Sequence, residues 1–101
     1  MKTRRSKATD IPQRVKETVW ERDGHRCIFC GDLYAMPNAH YIPRSKGGLG
    51  IEQNIVTACV VCHDKMDHTT ERPLFLLSAK RYLQAKYKNW NEENLVYKKW
   101  S

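Results

Sequence analysis

The run "DIPQRVKETVWERDG" places Ile11, Val15 and Val19 at four-residue steps, on one face of a helix. Asp10 or Ile11 stands at its start, Pro12 falls in its first turn, and Gly24 can end it. Two short segments rich in β-branched or aromatic residues, "AHYI" and "NIVTAC", predict strands. Residues 32–37, before the first strand, read as loop. Between the strands, "PRSKGGLGIEQ" carries Gly47, Gly48 and Gly50 and reads as a long flexible connection, the kind that often bears function. After Cys62, "HDKMDH" is expected to begin a helix that starts inside the second knuckle. A further helix is expected over "RPLFLLSAKRYLQAKY", with Leu74, Leu77, Ala79, Tyr82, Leu83 and Ala85 as buried positions. The segment "NWNEENLVYKKW" predicts a last short helix starting at Asn91, whose side chain can cap it.

With 101 residues the default is one domain. Residues 1–9 read as a basic, flexible arm and residues 10–101 as the domain, without internal repeats. The longest apolar runs, 58–62 and 74–77, are far too short to span a bilayer. No apolar run follows the basic residues 1–7, so no signal peptide and no membrane partner are expected. Eighteen Lys and Arg against eleven Asp and Glu give a formal charge of +7. That excess favours a polyanionic partner, nucleic acid first, although charge alone fits a merely basic soluble protein too. The excess includes Lys2, Arg4, Arg5 and Lys7 in the arm, Arg44 and Lys46 beside the central glycines, and lysines and Arg81 in the C-terminal part.

The four cysteines form two Cys-x-x-Cys pairs, Cys27/Cys30 and Cys59/Cys62. Without a signal peptide, such pairs read as a four-thiolate structural Zn²⁺ site more readily than as disulfides or redox pairs. Thiolates at this spacing close a tetrahedron while each knuckle keeps a tight turn. Gly31 follows the first pair, where such a knuckle often needs an unusual backbone conformation.

Between and beside the cysteine pairs lie a strand histidine (His40), an asparagine opening the second strand (Asn54) and a helix histidine (His63). With "CIFCG", "AHYIPRSKGG", "NIVTACVVCH" and Asp67, this order resembles the HNH endonuclease family over about residues 12–68. The C-terminal tail also resembles those of small phage-encoded members. The resemblance implies an α+β fold: a ββα-metal core with zinc knuckles, flanked by an N-terminal helix and by C-terminal helices over 71–101. It implies metal-dependent hydrolysis of DNA phosphodiester bonds. His40 would be the general base, a role that suits an imidazole titrating near physiological pH. Asn54 would order the inter-strand loop and orient the base, and Arg44, with Lys46, would contact phosphate. A phage origin would place the protein in the host cytoplasm, alone or as a weak dimer, with phage packaging machinery as a further partner.

Many family members carry Asp or His immediately before the base as a metal ligand; here that residue is Ala39. His63 and Asp67 are four apart on the expected helix, so they share a face and make a workable ligand pair for Mg²⁺, Mn²⁺ or Ni²⁺. Asp64 and His68 form a parallel pair on an adjacent face. Plainer roles stand beside these. His40 could be a half-buried strand histidine, His63 a zinc ligand, Asn54 a turn residue, Asp67 a solvated carboxylate and Arg44 a solvated loop charge. Trp20, Trp90 and Trp100 read as packing residues rather than base-stacking ones. The reading is a metal-dependent HNH endonuclease. The alternatives are a catalytically inactive, zinc-stabilised DNA-binding or phage-packaging accessory protein, and an RNA-directed nuclease.

Overall fold

The computed structural model describes residues 3–98. Helix α1 spans Arg4–Thr9 and α2 spans Gln13–Arg22; strand β1 spans Ala35–His40 and β2 spans Ile55–Cys59. Helices α3 (Val60–His68) and α4 (Arg72–Lys86) follow, with short 3-10 turns at Arg44–Lys46 and Glu92–Leu95. The chain is thus a mixture of helices with one two-stranded antiparallel sheet, an α+β arrangement. No helix among the described residues is long and apolar enough to cross a membrane.

Strand β2 is buried at all five positions, because helices cover both faces of the small sheet. Ile55 packs with Val15 and Val19 of α2. Val56 and Ala58 join Met66 of α3 and Ala79 and Leu83 of α4 in the larger cluster. A charged brace ties these layers together. Arg22 bonds the Asp23 carboxylate twice and the carbonyls of Glu52 and Ile55, each of these carbonyl bonds at 2.7 Å. Asp23 in turn accepts from the Thr57 N–H at 2.8 Å and from the Tyr82 hydroxyl at 2.6 Å. Burial opposes the charge on Arg22, but its bonds to Asp23 and Tyr87 outweigh that and hold the guanidinium more firmly protonated than usual. The end of α2 is therefore fastened to β2 and α4 by paired, hydrogen-bonded charges.

Several expectations shift. Helix α2 starts at Gln13, two or three residues later than expected, so Pro12 is its N-cap and not part of its first turn, and Gly24 turns the chain at φ +71°. Strand β1 lies further upstream: Ala35–Pro37 belong to it, while Tyr41 and Ile42 leave it. The pairing runs Ala35↔Cys59 and Met36↔Ala58, then Ala39↔Val56 and His40↔Ile55. One extra residue on β1 is absorbed between these pairs, where Pro37 has no N–H to offer the ladder. The bulge lets a proline-containing segment, read from sequence as loop, run as strand.

On α4, Leu74 is 71% exposed and Leu77 44%, and Ala85 is exposed as well. The inward stripe is Phe75, Leu76, Ala79, Tyr82 and Leu83. In a helix this apolar, several faces look hydrophobic, and only the packing against α3 selects one. Asn91 caps the last turn as expected, its side chain accepting from the Glu93 N–H at 2.9 Å.

The arm is not loose over the described residues. Thr3 caps α1 by accepting from the Ser6 N–H, and Thr9 is 3% exposed. The basic Lys2 and Lys99, and Trp100, lie outside the described residues. The glycine connection is ordered too. Gly47 takes φ +81° to end the 3-10 turn, and Gly48 bridges to Val96. A side chain on Gly48 would meet the Ile42 carbonyl oxygen at 1.7 Å, so backbone packs directly on backbone there. The glycines serve close approach rather than flexibility.

Candidate metal centre and nuclease cleft

The first cysteine pair sits on a turn whose shape follows from its ends. Gly31 donates its N–H to the Cys27 carbonyl at 2.9 Å and adopts φ +80°. Ile28 donates to the Thr57 carbonyl at 3.0 Å, fastening the turn to β2. The second pair straddles the junction of β2 and α3. Cys59 ends the strand and caps the helix, its Sγ accepting from the Cys62 N–H at 3.4 Å.

The four Sγ atoms lie within 4.8 Å of one another, with Cys30 and Cys59 at 3.6 Å. Four sulfurs about 2.3 Å from one tetrahedral Zn²⁺ have edges of about 3.8 Å, so the set matches such an ion. All four are free thiols, not disulfides. Burial raises Cys62, and the adjoining thiols add to that; burial also acts against Cys27, but backbone N–H donors led by Cys59 outweigh it and bring Cys27 down to about 7. Thiols this crowded cannot all ionise without a cation among them, which a divalent ion would supply. Among the described residues this is the one group of three or more His, Cys, Asp or Glu with convergent ligand atoms.

An open cleft of about 580 Å³ is lined in part by His40, Arg44, His63 and Asp67. Residues expected from sequence to share a site therefore meet in one place. β1 supplies His40, the adjoining turn supplies Arg44, and the first two turns of α3 supply His63 and Asp67. Lys46 is exposed nearby but does not line the cleft. Asp64 and His68 face a neighbouring groove that His63 and Asp67 also line.

His40 is half-buried, with Nε2 2.9 Å from the Thr9 carbonyl oxygen. Burial lowers its pKa below the ordinary imidazole value; the Thr9 contact opposes this, and the charge of Arg44 adds to it. The net shift favours the neutral ring. His63 Nδ1 lies 3.2 Å from Asp67 Oδ2. Two ligand atoms bound side by side at about 2.1 Å in an octahedral shell stand about 3.0 Å apart, close to this separation. The same contact also describes an ordinary ion pair across one helical turn.

Asn54 does not reach the cleft. It is fully buried, with Oδ1 accepting from the Ile42 N–H at 2.8 Å and Nδ2 donating to the carbonyls of Leu49 (2.9 Å) and Ile42 (3.2 Å). It pins the inter-strand loop to the start of β2. Ala39 is 1% exposed and packs into the main cluster. Its Cβ faces the core and not the cleft, so the residue before His40 is a packing position in this chain. Arg44 forms an ion pair with Asp10. Trp20 stacks on His25, and Trp90 donates to the Gln53 carbonyl at 2.7 Å while meeting Tyr41 edge-on. Both act as packing groups.

Three polar residues of the cleft were not expected at the site: Asp10, Lys16 and Asn38. Lys16 lies one position from Val15 on α2, and Asn38 two positions before His40 on the same outward face of β1. Strand alternation could have paired Asn38 with His40 once β1 had been placed upstream.

A family model described as HNH endonuclease matches residues 27–75, which include the four cysteines, His40, Asn54, His63 and Asp67. A curated relative, Anaredoxin from Nostoc sp. (strain PCC 7120 / SAG 25.82 / UTEX 2576), is 32% identical over 54 residues, spanning 52% of this chain and 71% of that protein. No solved structure matches the chain significantly. The ordered set of cysteine pairs, strand histidine, buried asparagine and helix histidine, with the matched model, shows that this chain belongs to the HNH endonuclease family.

Proposed function

We propose that residues 10–101 form one nuclease domain that hydrolyses phosphodiester bonds in DNA, built on a ββα-metal core of β1, β2 and α3. The observation that carries this reading is the meeting of His40, His63, Asp67 and Arg44 in one open cleft. Zn²⁺ on Cys27, Cys30, Cys59 and Cys62 clamps the end of β2 and the start of α3 to the first knuckle. The clamp keeps the helix that bears His63 and Asp67 beside the strand that bears His40.

His40, neutral at working pH, accepts a proton from the attacking water. His63 and Asp67 hold Mg²⁺, Mn²⁺ or Ni²⁺, which supplies charge stabilisation at the phosphate and leaving oxygen when bound. Arg44 and Lys16 offer cationic heads to the DNA backbone; Lys46 adds charge outside the cleft. Asn54 acts at a distance by keeping the loop after β1 in place. Contacts of this kind read phosphate rather than base edges, so sequence preference is modest.

A non-catalytic DNA-binding role is the second reading. It is favoured by the small number of protein ligands in the cleft: among the described residues no third His, Cys, Asp or Glu converges with His63 and Asp67 there. Nicking of supercoiled plasmid with Mg²⁺, Mn²⁺ or Ni²⁺ separates the two. His40→Ala is expected to keep DNA binding and lose about 10² to 10⁴-fold in rate. Asp67→Ala is expected to retain zinc but to need far more Mn²⁺. Near-normal nicking by His40→Ala, or no nicking by wild type with any of the ions, rules out the catalytic assignment.

A further inference from the structure

We infer that the N-terminal arm, residues 3–10, sets the tautomer and orientation of His40 through the carbonyl of Thr9. The consequence for catalysis rests on the nuclease reading above; the hold on the ring does not.

Thr9 O lies 2.9 Å from His40 Nε2. A carbonyl oxygen can only accept, so the proton of the neutral ring belongs on Nε2 and the lone pair on Nδ1. Nδ1 is then the atom that takes the proton from water. Released from Thr9, the ring would sample both tautomers and a wider range of rotation. Thr9 is 3% exposed, and its hydroxyl is turned back to the Ser6 carbonyl at 3.2 Å, so this peptide is well held.

What holds it is the connection between β1 and β2. Gly50 donates its N–H to the Ala8 carbonyl at 2.9 Å. The Arg5 guanidinium donates to the Ser45 carbonyl at 2.8 Å, and Arg44 pairs with Asp10. A Cβ on Gly50 would stand 1.9 Å from the Asp10 carbonyl oxygen and 2.5 Å from its carbon. Only glycine lets the arm pass this closely. The chain of control therefore runs from Asn54, which stiffens the loop, to the arm, and from the arm to the base. The family match begins at residue 27, so the acceptor for the base comes from outside the matched segment.

Gly50→Ala tests this, since the added methyl must push the arm away while Thr9 itself is untouched. The zinc-loaded full chain, ¹⁵N-labelled, is examined by two-bond ¹H–¹⁵N spectra of its imidazoles, alongside plasmid nicking with Mn²⁺. Wild type is expected to show His40 protonated on Nε2 and bare on Nδ1. Gly50→Ala is expected to show averaged tautomers and a kcat lower by about 10²-fold, with the half-saturating plasmid concentration unchanged. Arg5→Ala combined with Asp10→Ala, which removes two exposed tethers without crowding, is read by its ring spectra and kcat should Gly50→Ala lose its zinc. An Nδ1–H tautomer in wild type overturns the inference, as do wild-type ring signals and kcat in the folded variants. Averaged tautomers in the variants with no nicking by any protein, wild type included, would leave the arm's hold on the ring standing and remove the nuclease function proposed above.

Discussion

His40 shows how burial and chemistry act on a single side chain. Its pKa is lowered, chiefly by burial, so the folded protein resists protonating it. Two consequences share one sign. On the proposed base role, the acid limb of kcat/KM is expected to fall below about 6.5, the ordinary imidazole value, because the free protein keeps His40 neutral to lower pH. The unfolded chain binds this proton more readily, so the stabilising contribution is full above the ordinary value and is lost as pH falls through the lowered one. A pH–rate profile on plasmid, compared with that of wild type's binding alone, checks the first; a limb above the ordinary value would contradict it. Ala39 gives the second prediction at this scale. Ala39→Asp is expected to lower Tm rather than add a ligand, since it places a carboxylate among Val56, Met66, Ala79 and Leu83. An unpaired buried charge of this kind costs about 3 kcal/mol or more. Thermal melting of the zinc-loaded variant reads it, and an unchanged Tm with higher affinity for Mn²⁺ would mean that the carboxylate reaches the cleft.

The element that decides the site is the connection between the strands. Its sequence suggests mobility, yet its glycines bring backbone against backbone, and Asn54 supplies three bonds from a fully buried side chain. Asn54→Asp is expected to be worse than Asn54→Ala. The carboxylate keeps the acceptor for the Ile42 N–H but turns a negative oxygen towards the carbonyls of Leu49 and Ile42. Each unsatisfied buried group costs about 1–3 kcal/mol, and the added repulsion comes on top. Denaturant melts of the two variants should therefore rank Asp below Ala. The reverse order would show that the site rearranges to admit a protonated acid. Helix α3 makes a related point. It begins at Val60, directly after β2, and its cap is the sulfur of a metal-ligand candidate. Local helix signals are weak there, and the bound ion would replace them.

At the scale of the whole molecule, a two-stranded sheet cannot stand alone in water. Here helices cover both its faces, and the Arg22–Asp23–Tyr82 brace and the cysteine cluster join the layers. Removal of zinc is expected to unfold or loosen the β2–α3 junction first, because metal binding to such a site is folding free energy. Chelation followed by circular dichroism checks this, as does elemental analysis of Cys59→Ser. A folded, reduced protein that contains no zinc and melts as before would exclude a structural ion.

Much of this arrangement is legible along the chain. The cysteine spacing, the order of His40, Asn54, His63 and Asp67, and the four-residue step on α2 are local patterns, and local patterns survive as ordered elements. Side chains one helical turn apart must share a face, so His63 and Asp67 meet whatever surrounds them. Other features depend on contacts between distant residues. The upstream placement of β1 required Cys59 and Ala58 to pair with Ala35 and Met36 around Pro37. The inward face of α4 was chosen by α3. The inward turn of Ala39 followed from the two layers that enclose the sheet. The arm reads as loose because its ordering comes from Ser45 and Gly50, some forty residues away. Sequence determined which chemistry is present and in what order. Tertiary structure decided which groups face the cleft, which face the core, and which carbonyl meets His40, because those outcomes depend on packing between segments that no local period records.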